Sequence, residues 1–171
     1  MKKYITRSTL VASLFLISLS QVSCQNSEKK SEGSEVALAT DYPEGKSPEV
    51  WKEKLTDDQY EIMVKKGTEP PFRNPYYDNH EKGIYVSAAT GEPLFSSEDK
   101  FDSGTGWPAF SKPIDDDAVI WVKDNSHGMS RDEVIEKSTG LHLGHVFNDG
   151  PAPTNLRYCI NSAAMKFVKQ N

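Results

Sequence analysis

Two histidines, an arginine and a cysteine fall within the 21 residues from Leu141 to Asn161 (LHLGHVFNDGPAPTNLRYCIN). These are side chains of nucleophilic and acid–base chemistry. Cys159 has Arg157 two residues before it and Asn161 two residues after it. On a strand, regular alternation sets these three on one face and Tyr158 and Ile160 on the other. A guanidinium beside a thiol favours the thiolate, which makes Cys159 a candidate low-pKa nucleophile. The plainer reading of a lone cysteine is a small buried hydrophobe, and the two polar face-mates argue against it. His142 and His145 are three residues apart, a spacing that shares a face on a helix but not on a regular strand. If both serve one site from a strand, Gly144 must allow a bulge or sharp bend. Otherwise one histidine is packed and the other exposed. Zinc fails on ligand count, because Cys159 is the only thiol after Cys24 and no His-Glu-x-x-His helix accompanies the pair. Cys159 with either histidine also has the makings of a hydrolase dyad, but nothing in the chain predicts a peptide cleft.

A second segment, Phe101 to Phe110 (FDSGTGWPAF), holds two glycines, a proline and Trp107, and suits neither a strand nor a helix. Two readings stand level. A rigid loop displays Trp107 as an apolar wall for a small ligand, or a turn uses Trp107 to plug the core.

The remaining pattern supplies the elements that position these groups. Ser47-Pro48 suits an N-cap followed by proline at the first helical position, with Trp51 and Leu55 on one face. Thr56-Asp57-Asp58-Gln59 has the form of a capping box, and Tyr60, Met63 and Val64 form one stripe before Gly67. Pro70-Pro71 ends this helical region. Short strands are predicted at Ile84–Ser87, Leu94–Phe95, Ala118–Lys123, Asp132–Lys137, Leu141–Phe147, Leu156–Asn161 and Met165–Val168. Asn148-Asp149-Gly150 and two nearby prolines make a turn, so the histidine run and the cysteine run face each other across a loop. The expected fold is mainly β: two antiparallel sheets forming a small barrel or sandwich, with short N-terminal helices.

Residues 1–23 read as a bacterial export signal, with a basic start and an apolar run from Leu10 to Leu19 that is too short to span a bilayer. Gln21-Val22-Ser23-Cys24 resembles a lipoprotein signal box, although Gln21 stands where an aliphatic residue is usual. Cys24 is therefore the expected lipidation site, and residues 24–46 are a polar tether. That leaves residues 47–171 as one catalytic domain, large enough to bury a core without disulfides. The expected location is the bacterial cell envelope, on the periplasmic side or at the outer membrane. The formal charge is −5, and the first 23 residues carry only positive charges, so the rest is more acidic still. This argues against nucleic acid as a partner.

Taken together, these segments resemble the methionine-(R)-sulfoxide reductase B (MsrB) family. The likeness runs from Trp51 to Phe167 through KGTEPPF (66–72), KGIYV (82–86), PLFSS (93–97), 100–110, 142–147 and 149–163. It implies a peptide-methionine (R)-S-oxide reductase in which Cys159 attacks the sulfoxide sulfur and becomes a sulfenic acid. By the same likeness, His142 and His145 bind and protonate the sulfoxide oxygen, Arg157 stabilises the thiolate, and Asn161 hydrogen-bonds within the site. Trp107 and Phe147 wall the substrate, and Asn148, where many members carry Asp, joins the substrate-binding set. Many members bind zinc through two Cys-x-x-Cys pairs. Here Ser87, Thr90, Glu136 and Thr139 stand in those positions, so no zinc or other cofactor is expected. Thr105 replaces a common resolving cysteine, which implies recycling by an external thiol or a thioredoxin-like protein. The implied partners are oxidised proteins, that reductant and, through the anchor, a membrane; the enzyme is expected to be a monomer. The competing class is a non-catalytic binding lipoprotein derived from the reductase fold.

Overall fold

The structure is a computed structural model and describes residues 41–170. The export signal, Cys24 and most of the expected tether lie outside the described residues. Two short helices open the described fold, α1 (Pro48–Lys54) and α2 (Asp57–Met63). Pro48 starts α1, where its missing N–H costs nothing. The capping box of α2 is formed: Thr56 Oγ1 accepts from the Gln59 amide and Gln59 Oε1 accepts from the Thr56 amide. Trp51, Leu55, Ile62 and Met63 turn inward to the core.

Nine strands follow among the described residues: β1 (Gly83–Ser87), β2 (Pro93–Ser96), β3 (Lys100–Phe101), β4 (Ala109–Phe110), β5 (Val119–Asp124), β6 (Arg131–Glu136), β7 (His142–Phe147), β8 (Arg157–Ile160) and β9 (Met165–Lys169). They form two antiparallel sheets, ordered β2-β1-β9 and β3-β4-β8-β7-β6-β5. The expectation of a barrel or sandwich is corrected here. Each sheet ends on two different outer strands, so neither closes on itself or curls into a barrel. At the β3 end the ladder shrinks to two residues per strand, too short to carry hydrogen bonding round to β5. What holds of the expectation is two antiparallel sheets with short N-terminal helices.

Aromatic rings join the sheets. Phe95 of β2 stacks on Phe110 of β4 at 4.5 Å between centroids, and Tyr85 of β1 meets Phe110 edge-on at 5.0 Å. Ahead of α1 the chain crosses the β6–β7 turn, where the Glu44 amide donates to the Ser138 carbonyl at 2.7 Å.

Candidate active site

The site is built on β7 and β8. These strands pair antiparallel with His145 opposite Cys159 and Phe147 opposite Arg157, so all four side chains share one face. Gly144 allows this pairing: a Cβ there would lie 2.1 Å from the Cys159 carbonyl oxygen. Opposite β6 the register shifts. Val134 pairs with Gly144 and Ile135 with His142, leaving Leu143 as the extra residue of a β-bulge. The bulge supplies the half-period that a regular strand lacks, and it brings the rings of His142 and His145 to 5.4 Å.

Each histidine has its own carboxylate. His142 is 2% exposed, and its Nδ1 lies 2.8 Å from Glu133 Oε1 of β6. Lys66 Nζ donates to the other Glu133 oxygen at 2.9 Å. Burial pushes the Glu133 carboxyl up, but the hydrogen bonds from His142 and Lys66 outweigh it and leave the group below its ordinary value. His145 Nε2 lies 2.8 Å from Asp124 Oδ2, which also accepts from Arg131 at 2.6 Å. Hydrogen bonds from Ser126, together with His145 and the Arg131 charge, hold Asp124 well below the usual carboxylate range. Burial, aided by Arg131 and His142, lowers His145 despite Asp124. Both histidines line a polar cleft of about 410 Å³ rimmed by Lys65, Lys66 and Arg131.

Cys159 is partly buried and is the free cysteine of the described residues. The expected low-pKa thiol is corrected: burial raises it, against the opposing pull of Arg157 and a hydrogen bond with the Thr105 hydroxyl. The guanidinium is shared. Arg157 Nε and Nη2 donate to the two Asp149 oxygens at 2.8 and 2.9 Å, and Asp149 itself disfavours the thiolate. Arg157 also lies 4.4 Å over the ring of Phe147, so Phe147 supports the cation.

Trp107 is half-buried, with its Nε1 donating to the Glu69 carbonyl at 2.9 Å. It is therefore displayed from its loop in a fixed orientation and does not plug the core. Asn161 lies just beyond β8, with its side chain committed to backbone: Nδ2 donates to the Leu143 carbonyl at the bulge, and Oδ1 accepts from the Glu69 amide. It braces the bulge that pairs the histidines. Asn148 is exposed in the turn, and the neighbouring Asp149 engages Arg157.

A family model described as the SelR domain matches residues 55–169. The chain is 55% identical over 129 residues to the peptide methionine sulfoxide reductase MsrB of Leptospira interrogans, an alignment covering 75% of this chain and 98% of that protein. The chain belongs to the MsrB family. A second MsrB, from Saccharophagus degradans, is 53% identical over 125 residues, covering 73% of this chain and 93% of the relative. The peptide methionine sulfoxide reductase MsrA/MsrB of Vibrio cholerae is 55% identical over 122 residues, covering 71% of this chain but only 32% of that longer protein. Membership of the MsrB family makes the chain an enzyme, a peptide-methionine (R)-S-oxide reductase, with a role in protein repair under oxidative stress.

Sequence reasoning missed Glu133, Asp124, Asp149 and Lys66. One signal was available for Glu133, an acid in the same predicted strand as Val134 and Ile135. Such a charge is seldom buried without a partner.

Among the described residues, no group of three or more His, Cys, Asp or Glu side chains is placed to hold a metal ion. Glu136, one of the four residues that the sequence likeness set at zinc-ligand positions, is fully buried and accepts from Thr90 Oγ1 and Thr139 Oγ1, both at 2.6 Å. Ser87 Oγ in turn accepts from the amides of Ala89 and Thr90. Hydroxyls and one carboxylate bonded to each other do not fit a tetrathiolate zinc site.

Proposed function

We propose that this chain reduces peptide-bound methionine R-sulfoxide through a sulfenic acid on Cys159. The observation that carries the reading is the placement of Cys159 directly opposite His145, with His142 drawn to the same place by the bulge. The Cys159 sulfur attacks the sulfoxide sulfur while the histidines supply a proton to the oxygen, which is otherwise a poor leaving group. The S–O bond to the substrate breaks and an S–O bond to Cys159 forms. The substrate sulfur gains two electrons, the cysteine sulfur loses two, and methionine departs. Trp107, fixed by its bond to Glu69, packs the substrate methyl and so sets which diastereomer fits.

Recycling follows from Thr105. Its hydroxyl favours the Cys159 thiolate, and by the sequence likeness it stands at the position of a common resolving cysteine. An external thiol, or a thioredoxin-like dithiol, attacks the sulfenic acid, releasing water and forming a mixed disulfide that a second thiol opens. The Ser87, Thr90, Glu136 and Thr139 cluster takes over by hydrogen bonding the cross-linking that zinc gives other members. Residues 1–24 support export and anchoring through Cys24, so the clients are oxidised proteins of the cell envelope.

Steady-state assays with each sulfoxide diastereomer of a peptide and dithiothreitol test this reading. Turnover of the R form alone, abolished in Cys159→Ser, is expected. Turnover of the S form, or an active Cys159→Ser variant, would overturn it.

A further inference from the structure

The segment between α2 and β1 carries an exposed ring that the chemistry at Cys159 leaves unused. Phe72 is 57% exposed, and its backbone is left-handed, with φ 59°. A bulky side chain reaches that conformation only at a cost in energy, so its surroundings must hold it there. They do. The Phe72 amide donates to the Gly106 carbonyl at 2.9 Å. The buried Asn74 donates through Nδ2 to the same carbonyl at 2.7 Å and to the Pro70 carbonyl at 3.3 Å. Gly106 is buried against the ring, where a Cβ would lie 2.8 Å from Phe72 Cδ2. Tyr77, 37% exposed, meets the Phe72 ring edge-on at 5.8 Å. Single exposed apolar side chains are ordinary on a protein surface. This pair differs because a strained backbone is pinned to present it.

The place of the pair is set by Gly106, which lies between Thr105 and Trp107 in the chain. Thr105 favours the Cys159 thiolate, and Trp107 is fixed by its bond to Glu69. The Phe72 ring therefore packs on the loop that the sulfoxide faces. A peptide-methionine (R)-S-oxide reductase takes methionine within a chain, so the residues beside it must lie over neighbouring surface. We propose that Phe72 and Tyr77 form a subsite for an apolar or aromatic side chain next to the methionine sulfoxide. This rests on the reductase reading above, which sets the sulfoxide between Cys159 and Trp107. An extended peptide advances about 3.3 Å per residue, so the neighbouring side chain is within reach of rings seated beside Trp107. Edge-to-face contact suits an aromatic occupant, whereas a charged one loses hydration against the rings. The preference fits the clients. Oxidation puts a polar group on a methionine packed in a core and disrupts that core, which exposes the methionine together with apolar neighbours.

The test compares two R-sulfoxide peptides that differ only in carrying Phe or Ala on both sides of the methionine sulfoxide. For the full chain, kcat/KM is expected to favour the Phe-flanked peptide by about fivefold. The difference should lie in KM, because contacts remote from the reacting sulfur act on bound substrate and transition state alike. In Phe72→Gly the preference should fall below about twofold. Glycine takes φ 59° without strain, so this variant is expected to fold. A ratio between two peptides cancels any loss common to both, including a displaced Trp107. Tyr77→Ala is the second variant should Phe72→Gly fail to fold, and it too should weaken the preference. Equal kcat/KM for the two peptides in wild type, or a folded Phe72→Gly or Tyr77→Ala that keeps the full preference, would overturn the subsite. Wild type inert toward both peptides would instead remove the reductase reading on which it rests.

Discussion

At Cys159 two influences oppose one another. Burial and Asp149 favour the thiol, whereas Arg157 and Thr105 favour the thiolate, and burial prevails in the resting site. Replacing Arg157 with Met removes the opposing charge, so the pH at which iodoacetamide alkylates Cys159 at half its maximal rate should move upward. An unchanged profile would mean that Asp149 fully neutralises the guanidinium. Thr105 offers a second test, because its hydroxyl favours the Cys159 thiolate. In Thr105→Cys the introduced thiol should close a disulfide on Cys159 after one turnover, seen by non-reducing peptide mapping, whereas wild type should carry a single oxygen on Cys159. The alternation Arg157-Tyr158-Cys159 was legible because strand geometry alone fixes it. The roles of Asp149, Glu133 and Asp124 were not, since each depends on a partner in another segment that spacing does not reveal.

Strands and turns carry the site through close approach. Gly144 sits where β7 and β8 come nearest, and Gly144→Ala puts a methyl against backbone that cannot rotate away. A loss of about 1–3 kcal/mol in urea unfolding is expected from such overpacking, together with loss of activity in the protein that still folds. The Glu136 cluster ties the β1–β2 turn to the β6–β7 turn. Burial raises the Glu136 carboxyl above its ordinary 4.5 despite three hydroxyl partners. A raised folded-state value means that the native chain binds this proton more tightly than the unfolded chain, so its contribution is fully present below 4.5 and is lost as pH rises through the folded value. Relative to Glu136→Gln, wild type should therefore lose stability as pH climbs from the ordinary carboxyl range, measured as the difference in unfolding free energy. A difference flat with pH would show that the carboxyl is not perturbed. The capping box of α2 and seven of the strands were readable from periodicity. Strands β3 and β4 were not, because two residues carry no period, and they frame the Trp107 loop that looked irregular.

For the whole molecule, the alternating runs announced antiparallel sheets, but not how those sheets end. Closure depends on the length of the outermost pairings, and those are the two-residue strands that no pattern marks. The same limit applied to the histidines, whose shared use required a bulge that Gly144 permitted and that the pairing with β6 produces. The account therefore rests on Cys159 and the histidine pair acting as one centre served by no second thiol in the described chain. A single-turnover reaction tests this most directly: reduced full chain is mixed with a methionine R-sulfoxide peptide without added thiol, and methionine and the oxidation state of Cys159 are both read. The account predicts about one methionine per protein and a dimedone-trappable sulfenic acid at Cys159. No methionine from a folded protein with reduced Cys159, or a stoichiometric Cys24–Cys159 disulfide in place of the sulfenic acid, would contradict it.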